Sequence, residues 1–402
     1  MIDYNPLIDL LKLYLIQLKE DKLWLMQQTI PRIADKKKRM TSMKLGFREL
    51  RHNWKKYLLI EIIVFLMMFM VLFLSGLVKG LGRAVSSGIE NMQADHFILK
   101  EDSEKLITLS SLSKEQYEEI QKEYRDKAAP LDIQRMYFQK NKDAEKENVT
   151  YFAIDPDSFL NPDVYKGKAL SSKEDQVVLD DDYASEGIRV GDTIIDTASG
   201  IKLKVSGFTK DAMYGHTSIA YISTDTYQKI MKAVNPAYQE TVHAAVVQGN
   251  VKAKIDGTDH YTKAEIIQAI PGYQAEQMTI TMIEWLLVVI TALVIGIFFF
   301  VINLQKEKEF GVLKAIGTSM GSLVGQIVSQ VCFIAVFGAL LAACLVLAMS
   351  AVLPVTMPFY LQASQAVIVL AAFVLISILG SLATVIRVAK IDPARIIGGD
   401  FQ

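Results

Sequence analysis

Cysteine, histidine and, over one long stretch, charge of either sign are what this sequence has least of. Of 402 residues two are cysteine, and both Cys332 and Cys344 fall in the apolar C-terminal third. The polar middle, residues 83–284, contains none, which excludes a disulfide framework or a cysteine metal site there. The five histidines (His52, His96, His216, His243, His260) are scattered without metal-ligand spacing. There is no H-E-x-x-H and no G-x-x-x-x-G-K-[ST] phosphate loop, so the chain is not expected to be an enzyme and any ATP hydrolysis must come from a partner. Lys and Arg number 43 against 44 Asp and Glu, which offers no basic excess for nucleic acid. Most telling, residues 315–386 carry no Asp, Glu, Lys, Arg or His. A soluble domain would present that stretch to water as one large apolar surface, so its solvent is lipid.

Four stretches match the ~20 apolar residues that cross ~30 Å of hydrocarbon. They are residues 57–78, interrupted only by Glu61, residues 285–304, and two crossings of the uncharged stretch at 323–353 and 366–386. Pro354 and Pro358 mark the break between the last two, because proline cannot continue a helical hydrogen-bond ladder. Lys44, Arg48, Arg51, Lys55 and Lys56 precede the first span, Lys306, Lys308 and Lys314 follow the second, and Arg387, Lys390 and Arg395 follow the fourth. By the positive-inside rule both termini are cytoplasmic and the polar middle is outside. Glu61 reads either as a functional intramembrane acid or as a carboxylate relieved by pairing or snorkelling towards Lys55 and Lys56.

The expected fold is therefore an α-helical membrane protein with four transmembrane helices and an α+β extracytoplasmic domain inserted between the first two. The domain bounds are 43–82 for a cytoplasmic elbow and first span, 83–284 for the outer domain, 305–320 for a cytoplasmic loop and 387–402 for a cytoplasmic tail. Residues 1–42 have two readings: a leucine-rich amphipathic helix on the membrane surface, or leader ahead of a true start at Met43. Within the outer domain, DHFILK, LDIQRMYF, NVTYFAID, KLKVSGF, SIAYIS and VHAAVVQ read as strands. SKEQYEEIQKEYRD reads as a helix with Ser113 and Gln116 at capping-box spacing, TDTYQKIMKAV as another, and a third begins near Tyr261 and Lys263. That alternation predicts a sheet covered on one face. Gly76 and Gly80 form a small-x-x-x-small face that permits close helix approach, for which a dimer axis is one candidate.

The loop QKEKEFGVLKAIGTSMGSL is amphipathic, with Phe310, Leu313 and Ile316 at helical spacing, and predicts a short helix presenting apolar knobs to another protein. E-F-G-V-L-K-A-I-G in it, the tail V-A-K-I-D-P-A-R-I-I-G-G, and the order of one span, outer domain and three spans resemble the FtsX/MacB-type permeases of ABC transporters. SGLVKGLGR at 75–83, IRVGD at 188–192, DAMYGHTSI at 211–219, YQAEQ at 273–277 and LPVTMPFYL at 353–361 resemble, more narrowly, the haem-efflux permeases (HrtB type) of Gram-positive bacteria. The resemblance implies a homodimeric permease in the cell membrane, bound to a separate cytoplasmic ABC ATPase and moving haem outward, with haem as cargo and no permanently bound cofactor. Glu309, Phe310, Gly311, Leu313, Lys314, Ile316 and Gly317 would couple to the ATPase.

Haem is a flat apolar disc with two carboxylates and an iron that takes oxygen or nitrogen ligands. The end of the first span offers Phe69, Met70 and Phe73 as apolar walls, Arg83 as a cation for propionates, and Glu90 as iron ligand or gate. Tyr273 and Glu276, with Gln277, form a second candidate group, and Tyr214 and His216 a third. Two rival cargo-free or cargo-different readings remain: a MacB-like exporter of peptides or lipids, and an FtsX-like permease that transmits force to an outer hydrolase.

Overall fold

A computed structural model describes residues 54–141, 143–171, 175–305, 307–353 and 357–389. Residues 1–42, Lys44, Arg48, Arg51, Lys306, Lys390 and Arg395, on which parts of the sequence reading rest, lie outside the described residues. The chain divides into two units, residues 1–73 with 286–348 and 363–402, and residues 74–285 with 349–362.

Helix α1 (Trp54–Glu90) opens the described chain and does not stop where its apolar run stops. The polar turns after residue 78 contain no proline, so nothing breaks the backbone ladder before the chain turns at Asn91. From Leu74 onward this helix belongs to the second unit, where Ile89, with Met92 and Ala94 just beyond, joins the domain core.

The second unit is built on one eleven-stranded mixed sheet. Its strands are β1 (His96–Lys100), β2 (Ala128–Gln139), β3 (Glu147–Ile154), β4 (Lys166–Gly167), β5 (Gln176–Asp180), β6 (Thr193–Asp196), β7 (Lys202–Thr209), β8 (Met213–Tyr214), β9 (Thr217–Ser223), β10 (Ala244–Val247) and β11 (Thr258–Thr262). The order is β11-β1-β10-β2-β3-β9-β5-β7-β4, with β6 bridging β2 and β7 and β8 paired to β9. The β3–β9 and β5–β7 pairs are parallel. All six strands expected from the sequence are present. Helix α2 (Lys114–Tyr124) has its capping box closed, Gln116 N–H donating to Ser113 Oγ at 3.2 Å and Ser113 N–H to Gln116 Oε1 at 3.0 Å. A single turn, α3 (Asp182–Ser185), and α4 (Thr224–Val234) follow, and α5 (Lys263–Ala269) starts after Tyr261, which sits in β11.

The expectation of a sheet covered on one face is wrong. Successive residues of a strand point to opposite faces, yet every residue of β9 and β10 is buried. Ile219, Tyr221, Phe152 and Ile154 pack on one side with Ile89 of α1 and Ile266 of α5. Ala220, Ile222, Tyr151 and Ala153 pack on the other with Tyr227 and Ile230 of α4. The fully apolar runs in NVTYFAID and SIAYIS carried this signal, since a two-sided strand loses its alternation.

Helices α6 (Tyr273–Gln305), α7 (Glu307–Ala315), α8 (Met320–Ser350) and α9 (Ala363–Ala389) complete the described chain. Among the described residues, three stretches, Tyr57–Glu90, Tyr273–Phe298 and Met320–Ser350, are long and apolar enough to cross a membrane, and α9 contributes a shorter one, Ala366–Ser381. In the first unit small residues set the packing, as expected where lipid is no better a solvent for Leu than a neighbouring helix is. A Cβ on Gly380 of α9 would stand 3.0 Å from Gly296 of α6, and one on Gly338 of α8 would stand 2.9 Å from Val64 and 3.0 Å from Glu61 Oε1. Glu61 Oε1 is thus turned towards α8, buried and without a hydrogen-bond partner.

Candidate functional site

All of the site's parts lie in the second unit. Its spine is the C-terminal part of α1, where glycines let three other segments close in. A Cβ at Gly80 would overlap the Pro358 carbonyl, and one at Gly76 the Phe359 ring. Tyr360 N–H donates to the Gly76 carbonyl at 3.0 Å. The small-x-x-x-small face is therefore occupied by the chain's own segment between α8 and α9.

Two turns on, Gly88 leaves room for Ile219 and the Met213 carbonyl. There the β8–β9 hairpin docks, through Gly215 and His216 N–H groups donating to the Val85 and Ala84 carbonyls at 3.0 Å each and Met213 N–H donating to Ser87 Oγ at 3.0 Å. The hairpin's two-residue loop, Gly215-His216, has φ of +56° and +61°. Two left-handed residues in succession match the strand twist, but a left-handed histidine is uncommon and is held here by its contacts.

Arg83 stands at the centre. Its Nη1 donates to Glu90 Oε2 at 3.1 Å, its Nη2 donates to Asn91 Oδ1 at 3.3 Å and lies 3.7 Å from Asp211 Oδ2, and its guanidinium is 4.2 Å from the Tyr360 ring centroid. Nε is buried with no acceptor. Glu90 is held on its other oxygen by the Ser86 hydroxyl at 2.6 Å, and Tyr273 lies beside Ser86 and Glu90. His216 Nε2 lies 2.9 Å from Glu276 Oε1. A cleft of about 290 Å³ opens here, with Arg83, His216, Tyr360, Asp180 and Asp211 in its wall.

Its far wall is acidic. Asp180, Asp181 and Asp182 hold carboxylate oxygens within 4.8 Å of one another. Asp180 is internally committed, accepting from Ala212 N–H at 2.7 Å and Asp182 N–H at 3.1 Å. Burial nonetheless pushes its carboxyl up to about 8, and burial also raises Asp181 and Asp182, each further raised by neighbouring carboxylates.

Arg83 and Glu90 of the first sequence-expected group thus meet Tyr273 of the second, and His216 meets Glu276, whereas Phe69, Met70 and Phe73 belong to the helical unit. Tyr214 does not join. Its ring packs edge-on against Phe152, 5.6 Å between centroids, and burial pushes its phenol up to about 12, so it serves the core. Tyr360, Asp211, Ser86 and Asn91 were not singled out from sequence. Tyr360 and Asp211 fall in the quoted segments LPVTMPFYL and DAMYGHTSI, but nothing local in either gives them a role, and all four depend on the fold to meet Arg83 or Glu90.

The short helix α7 ends in a glycine cap. Thr318 N–H donates to the Leu313 carbonyl at 2.9 Å and Gly317 N–H to that of Lys314 at 3.1 Å, with Gly317 at φ +92°, the two bonds of a Schellman motif. Of the expected apolar knobs, Ile316 is 74% exposed but Phe310 is turned inward at 3% and Leu313 is half-buried, while Val312, not expected, is presented. Helical spacing marks one face but not which side of it meets protein. Glu309 is exposed, Lys314 half-exposed and Gly311 buried. Residues 317–321, Gly-Thr-Ser-Met-Gly, spell G-x-S-x-G, but they join two helices rather than a strand to a helix, so they form no nucleophile elbow.

Residues 62–267 match the MacB-like periplasmic core domain and residues 281–393 the FtsX-like permease C-terminal domain. The chain is 30% identical over 357 residues to a protein of Staphylococcus haemolyticus named as the hemin transport system permease HrtB, covering 89% of this chain and 99% of that one. It is likewise 30% identical over 358 residues to the protein of the same name from Staphylococcus epidermidis, again 89% and 99%. Among solved structures, the extracellular domain of the noncanonic ABC-type transporter YknZ from Gram-positive bacteria aligns at 12% identity over 39% of this chain and 84% of that chain, with a TM-score of 0.29, too low to argue from. On the two matched domains and the near full-length identity to the staphylococcal proteins, the chain belongs to the FtsX/MacB-type family of ABC transporter permeases.

Proposed function

We propose that this chain is the four-span permease subunit of an ABC-type efflux complex that moves haem out of the cell membrane and so protects against its toxicity. In this reading α9 is the fourth crossing, both termini are cytoplasmic, the α/β unit is outside, and two copies pair with a separate ATPase that docks on the exposed Val312 and Ile316 of α7. The cargo comes from the hemin-transport relatives, 99% of whose length this chain matches.

One observation carries the site. Arg83 is a half-buried cation whose Nε–H has no acceptor, bonded to a carboxylate that is itself a candidate iron ligand. A haem propionate on Arg83 would take over the guanidinium as a charge-assisted acceptor. Glu90, released from Arg83 and still oriented by Ser86, would then be free for ferric iron. Tyr360, Tyr273, Glu276 and His216 would line the remaining wall. The acidic residues Asp181, Asp182 and Asp211 oppose a second anion, which favours one propionate at Arg83 with the other in solvent.

The test is hemin titration of the full permease, with its ATPase, in lipid nanodiscs. Wild type should develop a saturable Soret band, and Arg83→Ala and Glu90→Ala should each weaken it by about 10- to 100-fold, the worth of a lost charged hydrogen bond of about 1.5–3 kcal/mol. Unchanged affinity in both variants would remove the site. Absence of any Soret change, with ATP hydrolysis stimulated by peptides or lipids instead, would replace haem by the MacB-like cargo.

A further inference from the structure

A second cavity, of about 490 Å³, lies in the α/β unit behind the Arg83 cluster, and neither hemin nor the ATPase accounts for it. It falls within the ~300–1,000 Å³ typical of small-molecule sites. Met92, Phe159, Leu160 and Val164 give it apolar walls, and Tyr221 of β9 lines it from the sheet. Much of its polar lining is already committed: Asn91 accepts from Arg83 and donates to the Asp211 carbonyl, and the Thr209 hydroxyl donates to the Asp163 carbonyl at 2.8 Å. Asn161 Nδ2 donates to the Pro156 carbonyl at 2.8 Å and the Leu170 carbonyl at 3.3 Å, which fixes the amide's orientation because flipping it would set oxygen against two oxygens. Asn161 Oδ1 is buried too, so this amide is part of the wall and not an open acceptor. Tyr221 is 5% exposed, and its hydroxyl makes no hydrogen bond among the described residues. At the rim Lys210 Nζ rides 4.8 Å over the Tyr165 ring, forming no ion pair among the described residues, and the exposed Asp163 stands on the same loop as Tyr165.

We propose that this cavity is a binding site for a small apolar molecule that ends in a carboxylate beside an N–H donor, the chemistry of an aromatic α-amino acid derivative or the C-terminal residue of a peptide. Each part of such a molecule meets a counterpart. The carboxylate pairs with Lys210, already steered by its seat on Tyr165. The N–H meets the Tyr221 hydroxyl, which lines the cavity with no hydrogen bond among the described residues, and the apolar body fills the space between Phe159, Leu160 and Val164. One ammonium at the rim matches one carboxylate, and Asp163 disfavours a second anionic group, which separates this site from one built for a dicarboxylate.

The probe is N-acetyl-L-tryptophan, compared with N-acetyl-L-tryptophanamide, which keeps the ring and the N–H groups but lacks the charge. Calorimetric titration into the full permease in nanodiscs should show saturable binding of the acid at least tenfold tighter than of the amide. Lys210→Ala, a change at an exposed side chain that leaves the core intact, should bring the acid down to the amide's affinity and leave the amide unchanged. A rim cation should also make acid binding weaken with salt while amide binding does not. No saturable binding of either compound overturns the proposal, as does equal binding of acid and amide to wild type, or an acid affinity indifferent to Lys210→Ala. None of these outcomes depends on hemin binding, so they leave the Arg83 reading standing or falling on its own test.

Discussion

The two units treat the same kinds of side chain in opposite ways. In the α/β unit Phe97, Tyr151, Phe152 and Phe208 are all 0% exposed. In the helical unit Leu293 is 60% exposed, Ile297 62%, Leu340 57%, Val367 63% and Leu375 59%. The first unit would be an aggregation hazard in water and is ordinary in lipid, where an exposed leucine costs nothing and helices meet through glycines such as Gly296, Gly338 and Gly380. A large apolar residue is a stability element only where its alternative is water.

That contrast can be broken most forcefully at its extremes. Phe152→Ala should cost about 3–5 kcal/mol of domain stability, whereas Leu340→Ala should change stability by no more than about 0.5 kcal/mol. Thermal denaturation of both variants in nanodiscs checks this, and comparable losses would mean that Leu340 is not lipid-facing. Next in size is the glycine spine. Gly80→Ala must displace the Pro358 carbonyl and should cost about 1–3 kcal/mol, while Gly321→Ala, with nothing within 4 Å of the added carbon, should be neutral or slightly stabilising.

The α/β unit should also respond to pH, of order 1 kcal/mol per pH unit at most for each group. Asp132, with its carboxyl raised to about 7, and Asp180, raised to about 8, are both held protonated by burial. Unfolded, both have already lost their protons well below those values, so the folded state binds more protons and stability falls as pH rises towards 8. His243, which burial lowers to about 4, opposes this trend only below its unfolded value of about 6.5, where falling pH protonates the unfolded chain. From pH 6.5 to 8 His243 no longer opposes the aspartates, and Asp181 and Asp182, also raised by burial, act in the same direction. The denaturation midpoint should decline over that window, and Asp180→Asn should flatten the slope whatever it does to the absolute stability. The smallest effect belongs to the helical unit: Gly317→Ala places a side chain at φ +92° and should cost about 1 kcal/mol, read as faster hydrogen exchange at the end of α7.

How much was legible in advance differs in the same way between the units. The spans could be read because a run without charge has few structural uses, and the six strands because each is a compact apolar or alternating run. The short strands β4 and β8, at two residues each, carry no periodicity to read. Two-sided burial was legible in principle from the unbroken apolar run in SIAYIS but was overridden by the helical segments, which suggested a single covered face. At the candidate site, Arg83 and Glu90 are seven residues apart and so share one face of a helix, two turns from each other. That Glu276 would meet His216 and that Tyr360 would lie over Arg83 was not.

What the sequence determined by itself is therefore the solvent of each segment, the family, and the elements whose partners are local: apolar runs, capping boxes and the helical spacing of Arg83 and Glu90. Only the tertiary structure decided that the Gly76–Gly80 face receives Pro358 to Tyr360, that Tyr214 packs on Phe152 while His216 meets Glu276, and that Tyr221 of the sheet lines a cavity. The physical reason is distance along the chain. Hydrophobicity and helical propensity are properties of a residue and its near neighbours, whereas close approach at a glycine, or a polar contact between residues 60 apart, exists only after the backbone has brought remote segments within a few ångströms.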